Sequence, residues 1–318
     1  MRGAVLGVML TAAVMMPAAA GFGQWLKLPT EGVPRNRDGT PNLKAPAPRL
    51  PDGKPDFSGI WHAGNRNPCK PGSGDFIVCE SEIGGSRMAI DLGVDLPGGL
   101  PYQPWAAALT KKRAADDSRD DPHVRCLPDN PPRHWTLPHL SRAIHTPTLL
   151  ALLYEVNAMY RQIHIDGRPL PADMNPSWMG YSTARWEGDT LVVRTEGFRD
   201  DLWIDMHGSP MGSAAKMTER ITRPNFGTLN VDLTIDDPKT YTRPFTMRVP
   251  LISPPGFQLL PYDCHEGNYM LSAVLAGERA EDRAIAEDAK KGIIRERKPV
   301  QANINAAPGT AAGEGGPQ

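Results

Sequence analysis

Asp205, His207 and Ser209 occupy alternate positions in the stretch 198–214, and Glu219 follows shortly after it. An aspartate next to a histidine in a loop can orient the imidazole as a general base. Ser209 invites a triad reading. Triads, however, are defined by geometry across a fold, and the chain contains no Gly-x-Ser-x-Gly elbow. The Asp205–His207 pair is therefore read as acid/base machinery, against an alternative in which Asp205 caps loop amides and His207 faces solvent. Glu219 has a different origin. In a strand expected over 216–223 it shares a face with Met217 and Ile221, and apolar surroundings disfavour the charged form of a carboxyl, which suits a general acid or base. The competing reading is an interstrand ion pair with Arg194 or Arg248. His164 sits at the end of another expected strand, before an Asp166-Gly167 turn. Glu219, His207, Asp205 and His164 form the candidate catalytic set.

The candidate substrate contacts are Arg220 and Arg125 as anion anchors, His123 beside them, and Trp186, Trp203 and Tyr181 as aromatic walls. Trp178 and Phe198 belong to the same aromatic group around the 180–196 hairpin. Aromatic side chains at the mouth of a barrel suit an apolar or aromatic small molecule. Four histidines, His123, His134, His139 and His145, fall in 120–145, yet no His-x-His or His-Glu-x-x-His spacing occurs. No metal site is expected. The chain also lacks Gly-x-Gly-x-x-Gly, Cys-x-x-Cys-His and a phosphate loop, so no cofactor is expected either. With 35 basic and 36 acidic residues the formal net charge is −1, which argues against a nucleic-acid partner held by bulk charge.

The elements that must position these residues read as short strands between turns. Strands are expected over 57–61, 149–156, 160–165, 183–187, 190–196, 216–223, 228–235, 245–251 and 257–264, with a helix over 105–116 opened by Pro104. The fold class is mainly β, an antiparallel meander forming a lipocalin-like barrel or strongly curved sheet, with an irregular N-terminal wrap and short helices. Prolines in 120–145 argue against regular structure there. Residues 1–20 read as a signal peptide with an Ala-x-Ala end, 21–55 as an extended lead-in, 56–277 as a single β-rich domain, 278–298 as a charged helix and 299–318 as a disordered tail. Export to the periplasm or beyond follows, with no integral membrane segment after cleavage. Four cysteines suit an oxidising compartment, and the preferred pairing joins Cys69 to Cys79 and Cys126 to Cys264, although spacing alone leaves other connectivities open.

Several ordered motifs then stand out: Asp52-Gly53-Lys54-Pro55-Asp56 with Ser58-Gly59-Ile60-Trp61, Asp121-Pro122-His123-Val124-Arg125-Cys126-Leu127-Pro128, Asp166-Gly167-Arg168-Pro169-Leu170-Pro171 and Trp186-Glu187-Gly188-Asp189-Thr190-Leu191-Val192-Val193. Together they resemble a family of exported, mostly uncharacterised bacterial proteins, over about residues 50–270. That resemblance implies export and transfers no activity. Gly59-x-Trp61 is similar to a motif of lipocalin-type barrels and implies a barrel whose end is plugged by the tryptophan. Two functions are expected from these residues. The first is an exported lyase, isomerase or hydrolase performing cofactor-independent acid/base chemistry on a small organic molecule; the other is a lipocalin-like small-molecule binding protein without turnover. A structural envelope protein is a third.

Overall fold

Leu229, Val231, Leu233 and Ile235 alternate with Asn230, Asp232 and Thr234, and in the structure the first set is buried while the second lies on the outside. This two-residue period is the reason the segment folds as a strand with one dry face. The computed structural model describes residues 32–63, 92–93, 96–116, 118–137, 139–264 and 269–295. The expected signal peptide, the tail, Cys69 and Cys79 lie outside the described residues.

In chain order the elements are β1 (Gly59–Ala63), α1 (Pro104–Ala115), α2 (Pro131–Thr136), β2 (Leu140–Thr146), β3 (Leu149–Tyr154), β4 (Tyr160–His164), β5 (Tyr181–Glu187), β6 (Thr190–Glu196), β7 (Leu202–Trp203), β8 (Pro210–Met211), β9 (Lys216–Asn225), β10 (Thr228–Asp236), β11 (Phe245–Ile252) and α3 (Tyr269–Lys290). A closed barrel runs β1-β11-β10-β9-β6-β5-β4-β3-β2 and back to β1, and β7 and β8 form a separate two-stranded ribbon. The fold is thus the expected mainly β, lipocalin-like barrel. Cross-strand register stacks the lumen in layers. Leu191, Ile221, Val231 and Val249 face one another in one layer, Val193, Glu219, Leu233 and Met247 in the next, and Thr195, Met217, Ile235 and Phe245 in a third.

One end of the barrel is plugged by Trp61. Its indole N–H donates to the Phe57 carbonyl at 2.9 Å, and the Arg223 guanidinium lies 4.8 Å from its ring. Arg223 also donates to the carbonyls of Asp56, Ser58 and Phe226, tying the chain before β1 to the end of β9. Gly59 has φ of +143°, a backbone conformation that favours glycine, although a Cβ there would meet the Trp61 ring only at an ordinary contact distance of 3.7 Å. Arg223 and Pro224 face a single residue of β10 where the register shifts, and this bulge is what admits a proline to an inner strand. Phe57, His145 and Trp186 pack beneath the plug.

Four expectations are corrected. The segment 120–145 contains α2 and β2, because Pro131 and Pro132 occupy the first helical positions, where a missing N–H costs little, and Asn130 caps the Arg133 amide. The segment 257–264 is not a strand; Pro261 interrupts it, and it is pinned instead by bonds such as Tyr262 N–H to Glu155 O. The barrel is not wholly antiparallel, since β4 and β5 run parallel after the connection 165–180. The C-terminal helix starts at Tyr269 and ends at Lys290, earlier at both ends than 278–298. Cys126 and Cys264 form the disulfide expected for them and join the 120–130 loop to the chain after β11. No helix among the described residues is long and apolar enough to cross a membrane.

The Trp61 plug predicts a cost for losing the forked donor set of Arg223. Arg223→Lys keeps the charge but cannot reach three carbonyls at once, and should lower the unfolding free energy by about 1–3 kcal/mol in urea titrations. Unchanged stability would show that this end is held closed by other contacts.

Candidate functional site

β9 carries Glu219 into the middle layer of the lumen, with no exposed surface, flanked in register by Val193 and Leu233. An isolated carboxylate there is untenable on desolvation grounds, and the structure supplies its partners. Arg161 comes from β4, where alternation with the buried Ile163 turns it inward. Its Nη1 and Nη2 donate to the two Glu219 oxygens at 2.8 and 2.5 Å. The remaining guanidinium donors reach Ser182 Oγ and Thr195 Oγ1, which also bond each other at 3.0 Å. Burial works against the Arg161 charge, but the neighbouring Glu219 outweighs it and raises the guanidinium pKa. The ion pair that competed with a catalytic Glu219 is therefore present, with Arg161 rather than Arg194 or Arg248 as partner. Arg248 instead pairs with Asp232 on the outer face.

α2 closes the other end of the barrel from above this pair. Trp135 donates its indole N–H to Glu219 Oε1 at 2.5 Å. His134, next to it, stacks on Tyr154 with ring centroids 3.9 Å apart. His134 Nε2 is buried without a hydrogen-bond partner, and the buried Tyr154 hydroxyl lies near the Arg161 guanidinium. Burial pushes the His134 pKa down to about 4 and raises that of Tyr154. α2 is held by Arg133, which forks onto Asp121 with two bonds of 2.7 Å and lies 3.2 Å from Asp129. His123 completes this second cluster through Nδ1 to Asp129 at 2.7 Å.

A cleft on the side of the barrel adjoins the β4–β5 junction. β4 and β5 share only the pairs Ile163–Ser182 and His164–Thr183, so they splay beyond them. This cleft of about 550 Å³ is walled by Tyr160, His164, Leu170, Trp178 and Tyr181, with the buried Arg161 and Ser182 on the strand positions behind it. Gly180 has φ of +63°, and a Cβ would sit 2.8 Å from the Glu196 carbonyl oxygen, which forces glycine at the start of β5.

The sequence-derived residues thus divide among several places. His164 and Tyr181 line the lateral cleft, while Glu219 stays behind Arg161 in the lumen. The Asp205 carboxylate accepts from the amides of Leu92 and Ser209 and from the Ser209 hydroxyl, as in the loop-capping alternative, and Ser209 bonds Tyr102. His207 is half-buried, with Nε2 unpartnered, in the same loop. Arg220 points outward to Glu187, opposite in alternation to Glu219. Trp186 belongs to the plugged end, and Arg125 and Trp203 flank a separate cleft with α1. Arg161, Ser182, Thr195, Trp135, His134 and Tyr154 were not singled out from the sequence as site residues. The same alternation that exposed Glu219 would have found Arg161, but nothing in the sequence places Trp135 against them. Among the described residues no cluster of three or more His, Cys, Asp or Glu is arranged to hold a metal.

Two predictions follow from the lumen. Glu219→Leu or Arg161→Met alone leaves a buried charge uncompensated and should cost roughly 3–5 kcal/mol of unfolding free energy, whereas the double variant Glu219→Leu/Arg161→Met should recover much of it. Additive losses in that cycle would show the two residues do not act as a pair. For His134, the folded pKa of about 4 lies below the unfolded value of about 6.5, so the unfolded state takes up the proton first. Its contribution is complete above pH 6.5 and is lost as pH falls towards 4, up to roughly 3 kcal/mol. His134→Phe should flatten the fall in Tm between pH 6.5 and 4 relative to wild type; parallel curves would refute the assignment.

No protein-family model, curated protein or solved structure matches this chain.

Proposed function

We propose that this protein is an exported small-molecule binding protein, periplasmic or secreted, that holds an apolar or aromatic organic ligand in the lateral cleft without turning it over. The observation that carries this reading is the cleft of about 550 Å³ beside the short β4–β5 junction, whose walls are rich in aromatic side chains. Ligand pockets commonly measure about 300–1,000 Å³ and combine apolar walls with a few fixed polar groups. Trp178, Tyr181, Tyr160 and Leu170 supply the walls here. Arg161 and Ser182 border the cleft from behind but are buried and engaged with Glu219 and with each other, so a ligand would meet the aromatic walls in front of them.

Acid/base turnover is the weaker reading because its members stand apart. Glu219 is occupied by donors from Arg161 and Trp135, Asp205 caps a loop, and of the four only His164 borders the cleft. The Cys126–Cys264 bond accords with export.

The test is fluorescence titration of the full chain with the neutral probe N-phenyl-1-naphthylamine. Saturable one-to-one binding is expected, weakened about tenfold or more by Trp178→Ala and left intact by Lys290→Ala on distant α3. Absence of saturable binding, or equal binding by Trp178→Ala, overturns the proposal.

A further inference from the structure

Trp178 is a wall of two clefts. On its far side lies a second, of about 320 Å³, between the C-terminal half of α1, the 119–127 loop and Trp203. The charges around it are unevenly satisfied. Each carboxylate that lines it has an arginine partner: Asp116 with Arg119, Asp120 with Arg125, and Asp201 with Arg199, whose guanidinium stacks on Trp178 at 4.6 Å. Two further cations line the same cleft. Arg113 lies over the Trp203 ring at 4.3 Å and donates to the neutral carbonyl of Gly208, and among the described residues neither it nor Lys112 has a carboxylate within ion-pair distance. Burial lowers the Arg113 pKa despite several aspartates further off, as expected for a guanidinium stripped of water without a close anion.

We infer that the second cleft takes an anionic group of the ligand, so that the preferred ligand class is an apolar or aromatic molecule bearing a carboxylate, sulfonate or similar anion. Its apolar body lies against Trp178, which borders both clefts, and Lys112 and Arg113 face the charge. A ligand anion there gains two cations that no protein carboxylate within reach already neutralises, and a partly water-excluded site strengthens the attraction. Both cations also stand in the last turn of α1, where they complement the helix dipole. A dipole role alone affects stability and is blind to ligand charge, which separates the two explanations. This inference rests on the binding function proposed above.

The experiment compares two probes with one skeleton, N-phenyl-1-naphthylamine and 8-anilinonaphthalene-1-sulfonate, which differ by the sulfonate. Wild type should bind the sulfonate about five- to tenfold more tightly at low ionic strength, with the gap narrowing in about 0.5 M salt, where screening reaches only a few ångström. Lys112→Glu should abolish the preference and Lys112→Gln reduce it, while neither changes affinity for the neutral probe. Lys112 is exposed, so both variants should fold, and Lys290→Glu serves as the charge-matched control. If the neutral probe binds but the sulfonate has no advantage, or Lys112→Glu leaves the advantage intact, the anion subsite is wrong and the binding function stands. If neither probe binds, both fail.

Discussion

A sheet closed into a nine-stranded barrel encloses a lumen that has to be filled, and in this protein the middle layer is filled by a charge pair as well as by hydrocarbon. Glu219 and Arg161 can be there only together, because either alone would meet the full penalty of a buried charge. Their mutual bonds leave further guanidinium donors and carboxylate lone pairs, and the surrounding elements meet some of those needs. Ser182 of β5 and Thr195 of β6 satisfy the first; Trp135 of α2 satisfies the second. The pair therefore orders side chains from three further elements beyond the two strands that carry it.

The requirement for Trp135 explains the conformation of the 120–137 segment. α2 has only six residues, too few to be stable by itself, and is held over the barrel end by Asn130 at its start and by Arg133 forked onto Asp121. The disulfide at Cys126 ties the same loop to the chain beyond β11. At the opposite end Trp61 and Arg223 perform the equivalent closure. With the two ends covered in this way, the ladder is shortest at β4–β5, a parallel junction of two residue pairs, and at β1–β11, which also has two. The two clefts that share Trp178 stand on the β4–β5 side of the barrel.

Much of this was legible in the residue pattern. The alternation in β9 and β10 specified which face is dry, and placed Glu219 among apolar neighbours before any partner was known. Gly59 and Trp61 indicated a plugged barrel end. The pattern was less informative about 120–145 and 257–264. Prolines there signal a break in hydrogen bonding but do not distinguish a helix start from a coil, since the difference lies in whether the missing N–H has anywhere to go. The parallel run of β5 against β4 was also hidden, because strand direction depends on the path of the 165–180 connection and not on local preference.

The candidate site shows the same division more sharply. Asp205 and His207 are neighbours in sequence, yet the Asp205 carboxylate is engaged by the amides of its own loop and of Leu92. Glu219 was found from its strand, but its partner Arg161 lies 58 positions away and its second donor, Trp135, lies 84 away. By itself the sequence determined the β class, the dry faces of β9 and β10, and the presence of a carboxyl that needed compensation. Only the tertiary structure decided which cation compensates it, which end each loop covers and where the lateral cleft lies. Side-chain period is a local property of the chain, whereas charge pairing and closure depend on contacts between residues that the backbone brings together only when the barrel is complete.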